Sequence, residues 1–198
     1  MNLHFPDDDD FSLFKKDISE KLRLLNVRTI IKPEFKPSAV MMLIMNREGS
    51  AHVLLTRRTT TVTTHKGEVS FPGGSFEEGD HTLLDTALRE TDEEVGISPD
   101  HVEVLGEFDH FISIFGFHVS TFVGVITNPY EYILNPDEIE SIVEVPLQIF
   151  RDEKYDKCQL MEYQGNTYNV YHYMYEGYEI WGLTARILTD FARKILQQ

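Results

Sequence analysis

The stretch TALRETDEEVGI, residues 86–97, places Glu90, Glu93 and Glu94 at i, i+3 and i+4. On a helix these positions share a face, with Cβ atoms roughly 5–6 Å apart. Three carboxylates so close repel one another, by about 0.2–0.5 kcal/mol per exposed pair and by more once desolvated. Arg89 relieves part of this, and Asp85 can pair with it one turn earlier. One arginine does not balance all the acids nearby, whereas a divalent cation does. Mg²⁺ and Mn²⁺ take hard oxygen ligands, typically carboxylates plus a substrate phosphate. Taken alone, such a glutamate face is more often a solvated helix surface. The glycine turn in front of it, FPGG at 71–74, and VGI behind it shift the balance toward a site.

Arg57, Arg58, His65 and Lys66 form the most basic run near these glutamates, a set suited to phosphate groups. Strand alternation puts Arg57 and Arg58 on opposite faces, so one faces a ligand and the other pairs with surface acids. Glu138 and Glu140 can enter the site as later loop acids, although each is equally well a surface acid before a strand. Tyr171, Tyr173 and Tyr175 share one face of a hairpin. Stacking on a base is open to them, but a packed sheet face is more common. Cys158 is the single cysteine, which excludes an intrachain disulfide and fits a reducing compartment. A small, partly buried hydrophobe is expected there rather than a reactive thiol. The chain has no HExxH or Cys/His zinc spacing, no GxxxxGK[ST] loop and no GxSxG elbow.

The formal net charge of −15 argues against nucleic acid or an anionic membrane as a main partner. An anionic small substrate then needs metal ions or a local basic patch. The first residues show no basic segment followed by an apolar run, and no apolar stretch is long enough to span a bilayer. ARKILQQ carries none of the simple C-terminal addresses. A cytoplasmic protein is expected.

Several elements must position the glutamates. DDDDFSLFKKDISEKLRLLN predicts a capped amphipathic helix with Phe11, Phe14, Ile18, Leu22 and Leu25 on one stripe. KPEFKP, 32–37, reads as a linker. AVMMLIM (39–45) and AHVLLTRR (51–58) read as buried strands joined by the turn NREGS, and EVSF (68–71) as a short strand. The glutamate helix should run from about Leu83 to Val95, stopped by Gly96 and Pro99, with Leu84, Ala87, Leu88, Thr91 and Val95 facing the core. VEVLGEF and FHVSTFVGVI are further strands, DEIESIVEVPLQIF a strand and a short helix, and QLMEYQGNTYNVYHYMYEGYEI a hairpin. A last helix from about Gly182 should bury Ile187, Leu188, Phe191 and Ile195. This order suggests a layered sandwich rather than a doubly wound sheet.

RETDEEVGI resembles the second half of the Nudix box, G-x5-E-x7-R-E-U-x-E-E-x-G-U, in which U is a bulky apolar residue. Thr91 takes the place of that apolar residue, Asp80 stands where Gly74-x5 leads to a glutamate, and one extra residue separates Asp80 from Arg89. Residues 54–97 resemble the coenzyme A pyrophosphatase branch, as do NPDEIESIVEVPL and IWGLTARIL. Thr59 and Thr63 stand where that branch carries serine and arginine. The resemblance implies an α+β fold, a Nudix-like α/β/α sandwich with a mixed β-sheet between helices. It implies residues 1–37 as an N-terminal helix and linker and 38–198 as the hydrolase domain. Mg²⁺ or Mn²⁺ would be held by Glu90, Glu93, Glu94 and the Gly74 carbonyl, with Arg89 orienting the carboxylates. Glu93 or Glu138 would serve the attacking water, and Arg57, Arg58, His65 and Lys66 the substrate.

The implied reaction is hydrolysis of coenzyme A or acyl-CoA to adenosine 3′,5′-bisphosphate and 4′-phosphopantetheine. ADP-ribose, NADH and dinucleoside polyphosphates are the nearest alternatives, and a non-catalytic nucleotide-sensing module is one of another class. Retention of all three glutamates weighs against the last. A small nucleotide as substrate and a homodimer complete the expectations.

Overall fold

The computed structural model describes residues 1–30, 33–59, 67–127, 130–163 and 165–197. The run AVMMLIM lies in β1 (Lys36–Arg47) and AHVLLTRR in β2 (Ser50–Arg58). They form an antiparallel hairpin from Leu43–Leu54 to Arg47–Ser50. Its turn carries Glu48 and Gly49 at φ 48° and 80°, the left-handed pair that a type I′ connection requires. Lys36 and Pro37, expected in the linker, already belong to β1.

Along its other edge β1 runs parallel to β6 (Phe117–Val125). β6 is antiparallel to β5 (Glu103–Ile112). β7 (Ile139–Pro146) lies antiparallel to β2. The sheet is therefore mixed. β1 is buried on both faces, which explains its near-continuous apolar sequence. Ala39, Met41, Leu43 and Met45 pack with Ala87 and Val95 of α2 (Leu83–Val95). On the opposite face Met42 and Ile44 join Phe14, Ile18 and Leu22 of α1 (Asp8–Leu24). Ile187, Leu188 and Phe191 of α4 (Gly182–Phe191) close that core, with Ile195 in the π-turn that follows. Leu147 and Phe150 of α3 (Leu147–Arg151) belong to it too. The expected α+β sandwich, a mixed sheet between helices, is what the chain forms.

α1 starts where Asp7 accepts a hydrogen bond from the Asp10 N–H at 3.0 Å. It packs across β5, a strand at one edge of the sheet. A helix over an edge strand blocks pairing with another chain.

The segment expected as one hairpin is a three-stranded sheet of β8 (Lys157–Tyr163), β9 (Asn166–Tyr175) and β10 (Tyr178–Trp181). Glu176 and Gly177, at φ 50° and 85°, make a second left-handed turn that separates β10. Tyr171 and Tyr173 are buried, and the Tyr173 hydroxyl meets the Thr189 hydroxyl at 2.8 Å. The tyrosine face is a packed one. Cys158 is exposed, contrary to expectation, because β8 is the outer strand of this small sheet. Among the described residues no helix is long and apolar enough to cross a membrane.

Candidate active site

The site forms where β1 and β2 part. Their pairing ends at Leu43–Leu54, and two short strands fill the gap beyond. β3 (Val69–Ser70) pairs with β2 at Thr56 and Arg57, and β4 (Gly73–Ser75) pairs with β1 at Ser38–Val40. The expected glycine turn is thus a strand, and α2 packs over β4 and β1.

Local chemistry sets the ends of α2. The Thr82 side chain accepts from the Asp85 N–H at 3.1 Å, and the Asp85 carboxylate accepts from the Thr82 N–H at 2.8 Å. This reciprocal cap satisfies two donors at the helix start. It corrects the expected pairing of Asp85 with Arg89. Gly96 closes the helix at φ 71°.

Arg89 turns instead to Asp80. Its Nε and Nη2 donate to the two Asp80 oxygens at 2.9 and 3.1 Å. Nη2 also donates to the Ser75 carbonyl at 3.0 Å. Nη1 donates to Glu90 at 3.0 Å and to Glu93 at 2.9 Å. All five guanidinium N–H groups are used, which only the planar fork of arginine allows. Asp80 is buried. It accepts two further bonds, from the Glu77 N–H at 3.0 Å and the Thr86 hydroxyl at 2.8 Å. The Arg89 hydrogen bonds hold its carboxyl well below the usual carboxylate range.

The three glutamates do not share one exposed face, and this corrects the sequence expectation. The Glu93 side chain is 57% exposed, Glu90 16% and Glu94 3%. Glu94 stands seven residues after Ala87 and three after Thr91, both fully buried, so helix geometry turns it toward the sheet. There it accepts from Arg58 Nη1 at 3.0 Å and from the Gly73 N–H at 3.2 Å. Burial pushes its carboxyl up to about 8 against the pull of Arg58. Burial also raises Glu90, with Arg89 opposing and Glu93 and Glu138 adding to the rise.

Arg58 bridges two elements. Its Nη2 donates to Glu138 at 3.2 Å, while the Thr59 N–H donates to the Glu138 carbonyl at 2.7 Å. Arg57 points the other way. It pairs with Glu140 at 3.1 Å and lies over the Tyr178 ring at 5.8 Å. The structure therefore gathers Glu90, Glu93, Glu94, Arg89, Arg58, Glu138 and Gly74, and it leaves Arg57 and Glu140 apart. His65, Lys66 and Thr63 lie outside the described residues. Two features escape the sequence: the Arg58–Glu94 pair and the anchoring of Arg89 by Asp80. Only the motif position of Asp80 hinted at the second.

Among the described residues no three imidazole, thiol or carboxylate groups converge on a ligating point. The arginines explain this, since Arg58 joins Glu94 to Glu138 and Arg89 joins Glu90 to Glu93. The donor chemistry still fits a hard divalent cation. Glu93 and Glu138 disfavour the charge of Glu90, and Glu90 and Glu138 that of Glu94, and a divalent cation relieves such a carboxylate excess.

The two glycines of β4 have different tasks, and substitution separates them. At Gly73, with φ 152°, an added Cβ would strike the Ala39 carbonyl and the Val40 backbone. Gly73→Ala is expected to destabilise by about 3 kcal/mol or more. At Gly74 the added Cβ would land on the Glu90 carboxylate, the end of a flexible side chain. Gly74→Ala should hold stability within about 1 kcal/mol but displace Glu90 and lower turnover. Thermal melts paired with rate measurements check both. A normal rate for Gly74→Ala would separate the Glu90 position from function.

The NUDIX domain matches residues 35–161. The chain is 33% identical to the Nudix hydrolase NudL of Citrobacter koseri over 185 residues, 93% of this chain and 96% of that protein. It is 36% identical to the mitochondrial Nudix hydrolase 15 of Arabidopsis thaliana over 163 residues, 78% of this chain and 57% of that one. The fold is similar to that of a MutT protein from Methanosarcina mazei, with a TM-score of 0.54, 18% identity, and coverage of 86% of this chain and all of that one. A NUDIX domain over most of the chain and 33% identity along nearly the whole of a Nudix hydrolase agree with a glutamate helix seated against a glycine strand, and the chain belongs to the Nudix hydrolase family.

Proposed function

We propose that the protein hydrolyses the diphosphate bond of coenzyme A or an acyl-CoA with Mg²⁺ or Mn²⁺, giving adenosine 3′,5′-bisphosphate and a 4′-phosphopantetheine. The family acts on small nucleotides and generally uses such ions. The observation that carries the proposal is the pairing of Glu94 and Glu138 through Arg58, with Glu90 near enough for its charge to act on Glu94. Thr59, bonded to Glu138, leads from that assembly into the sequence that resembles the coenzyme A branch. The substrate choice rests on that resemblance.

Glu90, Glu93, Glu94 and the Gly74 carbonyl would hold the cation. When bound it neutralises the non-bridging phosphoryl oxygens and acidifies a water. Arg89 fixes Glu90 and Glu93 through its five-bond anchorage and has no N–H left for substrate. Glu138 stands close enough to Glu94 to share Arg58 with it, and its carboxylate would take the proton from the attacking water. Glu140, turned away with Arg57, has no part. Arg58 stands on the glutamate side and would meet the diphosphate, while Arg57 would not. A cytoplasmic location belongs to the same proposal, supported by the single cysteine.

Coenzyme A, an acyl-CoA, dephospho-coenzyme A, ADP-ribose, NADH and a dinucleoside polyphosphate, each with Mg²⁺ or Mn²⁺, test the substrate. The highest kcat/KM is expected for coenzyme A or an acyl-CoA. Brisk turnover of ADP-ribose with none of either coenzyme would overturn the substrate and leave the family chemistry standing.

A further inference from the structure

Arg58 is placed unlike an ordinary surface ion-pair partner. Its side chain is 21% exposed and reaches two carboxylates on different elements, Glu94 of α2 and Glu138 of the segment before β7. Nη1 and Nη2 take one carboxylate each, and the buried Nε has no hydrogen-bond partner among the described residues. The guanidinium spends its charge on bridging rather than on a bidentate pair. Glu90 lies close enough for its charge to act on Glu94, and Arg89 is already committed to Asp80, Glu90 and Glu93. A single positive group thus sits between carboxylates that a divalent cation would need.

We propose that Arg58 is a place-holder for the cation: it bridges Glu94 and Glu138 in the metal-free protein and must release Glu94 before the metal binds. This rests on the metal-dependent chemistry proposed above. Competition between the arginine and the metal for one carboxylate lowers metal affinity. In return it keeps a buried carboxylate partnered, and the Glu138 segment against α2, when no metal is present. An orienting role for Arg58 makes the opposite prediction, because loss of an orienting partner weakens a ligand.

Binding of Mn²⁺ alone, followed by the electron paramagnetic resonance signal of the free ion, distinguishes these roles. Arg58→Met removes the charge and keeps an unbranched stem. Its Kd for Mn²⁺ is expected to fall by about ten-fold or more. The metal-free variant should melt below the wild type, and saturating Mn²⁺ should raise its Tm by more than it raises the wild-type Tm. Arg58→Lys keeps the charge without the fork, and its Kd should lie between the two. A Kd for folded Arg58→Met equal to or weaker than wild type would overturn the place-holder while leaving the metal site intact. If Arg58→Met does not fold, Arg58→Lys decides, and a Kd no tighter than wild type has the same force. Absence of Mn²⁺ binding by the wild type would instead remove the metal chemistry on which the proposal rests.

Discussion

Glu94→Gln should lose about 10²-fold or more in kcat, yet fold at least as stably as the wild type in metal-free buffer at pH 8. The two effects have one cause. Glu94 is buried, and burial lifts its carboxyl to about 8. A folded-state pKa above the unfolded value of about 4.3 means that the folded chain holds the proton more tightly. The resulting stabilisation is present in full below the unfolded value and is lost as pH rises through about 8. Glutamine is neutral at every pH and can still accept from the Gly73 N–H. The metal-free wild type should therefore lose stability progressively between about pH 4 and 8 and level off above that, and Glu94→Gln should not. Turnover with saturating Mg²⁺ and thermal melts across that range read both effects. A near-normal kcat would show that the charge on Glu94 takes no part in the reaction.

Removal of Arg89 should have the largest effect on stability. Arg89→Ala strips the buried Asp80 of its cation and leaves Glu90 and Glu93 without theirs. Breaking a buried pair by deleting one partner costs about 3–5 kcal/mol, seen as a lower urea midpoint. Arg89→Lys should recover only part of this, because one ammonium cannot reproduce five donors in a plane. Asp80 has a depressed folded-state pKa, so its contribution is present above the unfolded value of about 3.9 and is lost as pH falls below it. The stability gap between the wild type and Asp80→Asn should narrow as pH falls below about 4. A gap that stayed constant with pH would assign the Asp80 contribution to packing rather than charge.

Much of the frame around this site is written locally. α2 runs from Leu83 to Val95 as its sequence indicates, because Thr82, Asp85 and Gly96 specify both ends within a turn of the boundary. β1 and β2 follow from apolar runs too long to be anything but buried. The orientation of Glu94 was also legible, since positions 87, 91 and 94 lie on one helical stripe, but its charge argued for solvent. The sheet resolves that conflict by supplying Arg58, 36 residues away in sequence. A pairing at that distance leaves no local pattern. Asp80 and Arg89 lie nine residues apart across a loop, beyond any helical period, so their bond was equally hidden. The separation of β10 went unread because its turn uses Glu176 and Gly177, not the Asn-Gly or Asp-Gly pair that usually marks a type I′ connection. Arg57 and Arg58 did part to opposite faces as strand alternation requires. Which one would meet the glutamates depended on the side of the sheet that α2 covers.

Metal dependence of anhydride cleavage tests the central claim most directly. The protein is stripped with EDTA, incubated with coenzyme A, and then supplied with Mg²⁺ or Mn²⁺, and the products are separated by mass. The account predicts no turnover after chelation and restored turnover on addition of metal, with adenosine 3′,5′-bisphosphate and 4′-phosphopantetheine formed in equal amounts. Full activity in metal-free buffer would contradict it.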